Sequence, residues 1–131
     1  MASQAQSQAT PFELLGGHPT IERIVERFYD LMEEDPAYAE LRALHAPDLT
    51  PMRRSLALFL AAWCGGPRDW FDENPGKCMM SAHKGIAINR QVAEQWADAM
   101  GRAIADCGPD DQKLGAEMAE MLSRMARSMG R

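Results

Sequence analysis

The sequence has few of the residues from which β-sheets are usually built. Its 131 residues include two valines, five isoleucines and three threonines, and aromatic residues make up only 7%. β-Branched and aromatic residues favour strands, whereas alanine, leucine and methionine favour helices. The chain holds twenty alanines, eleven leucines and ten methionines. This composition argues against a β-sandwich, a β-barrel or a doubly wound parallel sheet, and it predicts an all-α protein.

The sequence also lacks the marks of export and of membrane insertion. Residues 1–8 are polar, with neither the basic start nor the apolar core of a signal peptide. No apolar run approaches the roughly 18 residues that a membrane-spanning helix needs. We therefore expect a cytoplasmic protein with a disordered N-terminal tail at residues 1–10 and a single domain at residues 11–131.

Cysteines are few, and acidic residues outnumber basic ones. The three cysteines are Cys64, Cys78 and Cys107, and without a C-x-x-C pair they fit neither a disulfide framework nor a zinc site of ordinary spacing. The formal net charge is −5 and the isoelectric point is near 5.1. Such a charge disfavours nucleic acid and anionic membranes as partners. We therefore expect buried, reduced thiols and neither of these partners.

Four stretches of the chain carry apolar residues at helical spacing, separated by glycine and proline. The segments between them predict a short helical turn and corner at residues 35–50 and a loop at residues 65–77. A short helix is predicted at residues 78–88, with Met79, His83 and Ile86 on its apolar face. The four long predicted helices run from Thr20 to Met32, from Met52 to Trp63, from Asn89 to Cys107 and from Leu114 to Met129.

Polar-tipped side chains fall at positions that face the predicted core: Tyr29, His45, His83 and Trp96. A phenol hydroxyl, an imidazole N–H and an indole N–H each need a partner when they are buried. In a core otherwise made of alanine, leucine and methionine, the donors of Tyr29, His45 and Trp96 favour a polar pocket. Taken singly, each of these residues also fits an ordinary, satisfied place in a core.

Five short motifs follow one another along the chain: FYD at 28–30, LHAPDL at 44–49, FLAAWCGGP at 59–67, MSAH at 80–83 and QW at 95–96. Their order and spacing resemble those of the group II truncated haemoglobins, a bacterial globin family. The resemblance extends from about Phe12 to Met129. It implies a two-over-two helical sandwich around haem b, which is iron protoporphyrin IX.

The resemblance also implies roles for particular residues. His83 matches the proximal histidine, whose imidazole binds the haem iron. Tyr29, His45 and Trp96 match the distal positions, where small ligands bind. The residues that it places against the haem, besides His83 and Trp96, are Met52, Leu56, Phe59 and Met79.

Two departures from the family pattern affect the expected site. Met52 stands where many globins carry a hydrogen-bonding residue, so the donors must come from Tyr29, Trp96 and His45. The segment before His83 lacks the arginines found in relatives, so other cations would have to contact the haem propionates. The available cations are Lys77, Lys84, Arg53 and Arg54, and the sequence does not choose among them.

The resemblance implies reversible binding of dioxygen at the haem iron. Donors in a dry pocket stabilise the partial negative charge of bound dioxygen, each by on the order of 1–3 kcal/mol. We therefore predict tight binding with slow release, which suits storage or redox chemistry better than bulk transport. The same donors favour anionic ligands of ferric iron. Electrons would come from an unidentified reductase, and the chain would act as a monomer or a homodimer.

Three alternatives stay open at the level of the sequence. The same site fits a haem-dependent peroxidase or a nitric-oxide dioxygenase. A haem-free helical interaction module would use His83 and Trp96 only as core residues. A metal site of Cys78 and His83 with Cys64 or Cys107 has poor ligand spacing.

Overall fold

The computed structural model describes residues 9–78, 82–83 and 85–130, and every regular element among them is helical, which confirms the all-α prediction. The predicted turn and corner at residues 35–50 contain a 3₁₀ turn at Pro36–Tyr38 and one short helix. In chain order the helices are α1 (Pro11–Leu14), α2 (Gly17–Glu34), α3 (Ala39–Ala43), α4 (Thr50–Trp63), α5 (Asp69–Glu73), α6 (Arg90–Cys107) and α7 (Gln112–Met129).

The four long helices form a two-over-two sandwich. Helix α2 packs against α4, α6 packs against α7, and α2 also packs on α6, which joins the two pairs. Burial of apolar side chains between these helices is the main source of their stability, because isolated helices of this length are marginal in water. The largest fully buried side chains include Ile21, Ile24, Phe28, Met32, Leu60, Met100 and Leu122.

The helix ends lie where the sequence places its capping and breaking residues. Asn89 caps α6, since its side-chain oxygen accepts a hydrogen bond of 2.8 Å from the N–H of Val92. Helix α4 ends just before Gly65, whose φ of +91° is accessible to glycine at little cost. Helix α6 ends at Gly108. These two helices therefore end where the sequence predicts.

The predicted loop at residues 65–77 contains a helix, so the sequence prediction is wrong at α5. Trp70 is the reason, because its ring is buried and packs edge-on against Phe59 with ring centroids 5.3 Å apart. Its indole N–H donates to the hydroxyl of Ser55 at 3.1 Å. A short apolar anchor of this kind folds the middle of the loop onto α4.

The predicted short helix at residues 78–88 is tested only in part, because Met79 and its next two neighbours lie outside the described residues. Gly85 has a φ of +88°, and the chain beyond it is not helical. Ile86 is 44% exposed. The expectation that Ile86 shares a helical apolar face with His83 is therefore wrong, since the turn at Gly85 ends that face.

The cysteines differ in their surroundings. Cys64 is buried, and burial raises the pKa of its thiol to about 11, so the thiol stays protonated at neutral pH. Cys107 is half-buried, whereas Cys78 is exposed, so the expectation of three buried thiols is wrong for Cys78. Within the described part of the chain, no helix is both long and apolar enough to cross a membrane.

Two glycine substitutions are expected to change stability in opposite directions. A Cβ on Gly66 would lie 2.6 Å from the Phe12 ring and 2.9 Å from the carbonyl oxygen of Ala61, so Gly66→Ala should destabilise the fold by about 1–3 kcal/mol. Gly101 lies inside α6 with open space around it, so Gly101→Ala should stabilise it by about 0.5–1 kcal/mol. Urea unfolding followed by circular dichroism measures both. Shifts of the same sign would contradict the described packing.

Candidate functional site

Three of the polar-tipped residues predicted from the sequence lie in one chain of ring contacts. The Phe28 ring of α2 lies 4.9 Å from the Tyr29 ring and 5.3 Å from the Trp96 ring of α6, edge-on to both. The His45 ring, in the corner after α3, lies 6.0 Å from the Tyr29 ring. We call Tyr29, His45 and Trp96 the polar cluster. The fold thus brings together groups that lie far apart in the sequence.

Tyr29 presents its hydroxyl as a hydrogen-bond donor at the edge of a buried ring. Its side chain is only 2% exposed, and its hydroxyl has no hydrogen-bond partner in the described part of the chain. Burial raises the pKa of the phenol well above its usual value, while the positive charge of Arg53, 5.7 Å from the ring centre, acts in the opposite direction. The phenol therefore keeps its proton at any ordinary pH.

Trp96 offers a second unpaired donor. Its indole is half-buried, and no described residue accepts a hydrogen bond from its N–H. Elsewhere in the core the same groups are paired: the Trp70 indole donates to Ser55, and the Tyr38 hydroxyl donates to Asp98. Buried polar groups are nearly always hydrogen-bonded. No fully buried side-chain N or O atom of the described residues lacks a partner, so the unpaired donors of Tyr29 and Trp96 border space that water or a bound molecule can reach.

His45 differs from the donor that the sequence predicts. Its Nδ1 lies 2.9 Å from the carbonyl oxygen of Leu41. A carbonyl only accepts, so Nδ1 carries the proton and Nε2 of the neutral ring is an acceptor. Burial lowers the pKa of His45, and the charges of Arg42 and His83 lower it further, against the bond to the carbonyl. The neutral ring is therefore favoured, which would make Nε2 an acceptor where the sequence predicts a donor, and the role of His45 towards a ligand stays a prediction.

The lowered pKa of His45 predicts how stability depends on pH. The unfolded chain binds a proton at His45 more readily than the folded chain does, so stability is highest above the unfolded pKa and falls as the pH drops from roughly 7 towards 5. We expect His45→Gln to remove part of this decline. Urea unfolding at a series of pH values measures it. An unchanged slope in the variant would show that His45 does not contribute.

His83 lies within electrostatic reach of the polar cluster. It is half-buried, and its charge lowers the pKa of His45. Large apolar side chains are exposed beside the segments of the candidate site: Leu44 next to His45 is 40% exposed, and Ile86, shortly after His83, is 44% exposed. Met52, one turn before Leu56 on α4, is 40% exposed.

These features fit a flat apolar group with a polar ligand site on one face. Haem has this character, because its ring is apolar and its iron binds a histidine on one side and a small ligand on the other. The exposed side chains of Leu44, Met52 and Ile86 are the kind of surface that such a ring covers. The unpaired donors of Tyr29 and Trp96 suit a small electronegative ligand. The residues present therefore fit haem.

The other residues predicted to contact the haem have varied surroundings. Leu56 is half-buried against the core, as expected of a pocket residue on α4. Phe59 is 7% exposed, and its ring faces Trp70 and Phe71 of α5 at 5.3 and 6.2 Å. Met79 lies outside the described residues. The haem contacts of these residues stay predictions.

The four cations proposed for the haem propionates are not equally available. Arg53 bonds three carboxylates of α2 and is already neutralised. Arg54 makes two hydrogen bonds of 2.8 Å to the carboxylate of Glu73. Lys77 is exposed and has no carboxylate partner within the described ranges, and Lys84 lies outside them. The arginines are therefore poor candidates, and Lys77 is the better one.

The sequence does not reveal the groups that hold His45 in place. They are the backbone carbonyl of Leu41, the guanidinium of Arg42 and the amide of Gln95. Gln95 stands directly before Trp96 in the QW motif, but its hydrogen bond to α3 depends on contacts that no local pattern reveals. In the described residues no three His, Cys, Asp or Glu side chains cluster to hold a metal ion, which gives the metal-site alternative no support.

A two-over-two helical sandwich that carries the polar cluster and a half-buried His83 is the arrangement expected of a protein of globin type. A family model described as bacterial-like globin matches residues 10–130. Because the match covers nearly the whole chain, the chain belongs to the bacterial-like globin family.

Solved structures similar to the chain include group II truncated haemoglobins. The group II 2-on-2 haemoglobin of the plant pathogen Agrobacterium tumefaciens is 25% identical with a TM-score of 0.89, and the match covers 95% of this chain and 96% of that one. The cold-adapted truncated haemoglobin of Pseudoalteromonas haloplanktis is 26% identical with a TM-score of 0.88, over 94% and 98%. The group II truncated haemoglobin of Bacillus anthracis is 28% identical with a TM-score of 0.84, over 95% and 93%. The predicted resemblance is confirmed.

Proposed function

We propose that the chain binds haem b through His83 and binds dioxygen reversibly beside the polar cluster. Membership of the globin family supports haem binding in general. The observation that carries the finer proposal is the Tyr29 hydroxyl, which makes no hydrogen bond to the described residues although Tyr29 as a whole is only 2% exposed. The indole N–H of Trp96 supports it in the same way.

The residues of the chain would perform three tasks in this activity. Haem supplies an iron atom to which small ligands bind. His83 holds that iron from one side. Tyr29 and Trp96 donate hydrogen bonds to the ligand, and each is worth about 1–3 kcal/mol in a site without water. Phe28 packs against both donors and keeps their rings in place.

Titration of haem into the haem-free protein tests the proposal. Trp96 would lie close to the bound haem, so tryptophan fluorescence should be quenched and should reach a plateau at one haem per chain. A Soret band should grow in parallel with the quenching. Weak binding without a plateau, or quenching without a shifted Soret band, would contradict a specific site.

A second candidate, a haem-dependent peroxidase, is favoured by one observation. The neutral His45 ring presents Nε2 as an acceptor, and an acceptor beside the ligand site is able to take a proton from hydrogen peroxide. Steady-state oxidation of a simple phenol by peroxide separates this activity from ligand binding alone. Turnover that falls in His45→Gln supports it, and turnover no faster than that of haem in solution counts against it.

A further inference from the structure

We propose that Gln95 is a positioning residue for the polar cluster, because it anchors the part of α3 that makes His45 a hydrogen-bond acceptor. The inference rests on the proposed function and deepens it. It adds a ligand class to the site: small molecules that enter the pocket carrying a proton and bind as anions.

Gln95 anchors the N-terminus of helix α3. The first N–H groups of a helix have no partner inside it, and no side chain caps α3 at Tyr38. Leu41 has one of these N–H groups, and the side-chain oxygen of Gln95 accepts from it at 3.0 Å. Gln95 also donates through its side-chain nitrogen to the carboxylate of Glu40 at 2.8 Å. These two bonds fix the orientation of the Gln95 amide. In the flipped orientation its NH₂ group would face the N–H of Leu41, and its oxygen would face the carboxylate of Glu40.

Leu41 in turn holds the ring of His45. The carbonyl oxygen of Leu41 accepts the Nδ1–H of His45 at 2.9 Å. Arg42 holds the corner from the other side by donating to the backbone carbonyls of Ala46 and Pro47 at 3.0 and 2.9 Å. The His45 ring is therefore fixed by a carbonyl whose own residue is tied to α6 by Gln95.

The hydrogen-bonding groups of the pocket indicate which ligands it suits. The Trp96 indole only donates, and the Tyr29 hydroxyl donates to a ligand without protons, while Nε2 in the Nδ1–H tautomer of His45 is an acceptor with no partner in the part of the chain that the structure describes. Two donors and one acceptor together suit a ligand that must shed a proton. For hydrogen cyanide, the bond to hydrogen breaks, the electron pair stays on carbon, the proton goes to Nε2, and the cyanide anion is left to bind.

The tautomer of His45 is the direct readout. Long-range ¹H–¹⁵N correlation spectra of the ferrous protein saturated with carbon monoxide, recorded at neutral pH, should show the His45 proton on Nδ1. In Gln95→Met, which has a similar length but no strong acceptor, this preference should be reduced and a signal for the Nε2–H form should appear. Gln91→Met, one turn earlier on the exposed face of α6, is the control and should keep the wild-type pattern.

A double variant that exchanges the side chains of Glu40 and Gln95 distinguishes a positioning role of Gln95 from a merely structural one. Glu40→Gln combined with Gln95→Glu keeps an acceptor for the Leu41 N–H and restores a bond between the two side chains. This pair should recover the Nδ1–H tautomer that Gln95→Met loses. A wild-type tautomer in Gln95→Met, or an Nε2–H tautomer in the wild type, would overturn the proposal.

Ligand kinetics test the ligand class. Cyanide association with the ferric protein at neutral pH should be about tenfold slower in Gln95→Met, whereas carbon monoxide association with the ferrous protein should change less than about twofold. Equal effects on both ligands would overturn the acceptor role. If no haem binds, the proposed function fails, but the tautomer is still readable in the haem-free chain because its hydrogen bonds lie within the protein. If haem binds and the tautomer is wrong, only this inference fails.

Discussion

The His83→Gly variant is expected to lose its haem during purification and to regain it when imidazole is added to the buffer. Glycine removes the proposed iron ligand and leaves space for a free imidazole molecule to take its place. The measurement is the ratio of the Soret absorbance to the protein absorbance, which should fall to near zero without imidazole and recover with it.

His18→Gly is the matched control for this experiment. The His18 ring packs edge-on against Phe12 at 5.1 Å, at the junction of α1 and α2. Its loss should leave haem retention unchanged. An unaltered Soret band in His83→Gly would show that another residue binds the iron.

The second large effect is expected in the release of dioxygen. Tyr29→Phe and Trp96→Phe each remove one donor while keeping an aromatic ring. If each hydrogen bond contributes about 1–3 kcal/mol, each variant should release dioxygen about tenfold to a hundredfold faster, since 1.4 kcal/mol corresponds to tenfold. Stopped-flow measurement of dioxygen dissociation gives the rates. The double variant shows whether the two donors act independently.

Trp70→Phe provides the control for these variants. It also removes an indole N–H, but that group belongs to α5 and already donates to Ser55 of α4. Its dissociation rate should equal that of the wild type. Unchanged rates in both Tyr29→Phe and Trp96→Phe would eliminate the polar cluster as the ligand site.

The long helices could be predicted because their signals are local. The apolar stripe beginning at Ile21 and the cap at Asn89 each lie within a few turns of chain, and the structure confirms them. Helix α5 could not be predicted, because it exists through the burial of Trp70 against α4, which is a contact between distant segments. The exposure of Ile86 was missed for a related reason, since the turn at Gly85 overrides the periodicity.

The site was predictable in its residue types and less so in its chemistry. The sequence singled out Tyr29, His45 and Trp96, and the fold joins their rings in one chain of contacts that runs from His45 through Tyr29 and Phe28 to Trp96. The sequence did not indicate that Nδ1 of His45 faces a backbone carbonyl, which favours an acceptor at Nε2. The nature of the ring was visible in the sequence, but the position of its proton was not.

The most direct test of the account is the absorption spectrum of the purified protein in its ferric, ferrous and dioxygen-saturated ferrous forms. The account predicts a Soret band in all three, with a shift on adding dioxygen that reverses when dioxygen is removed. The absence of a Soret band after expression with ample haem would contradict the proposal that the chain binds haem. A spectrum that does not change when dioxygen is added would contradict dioxygen binding.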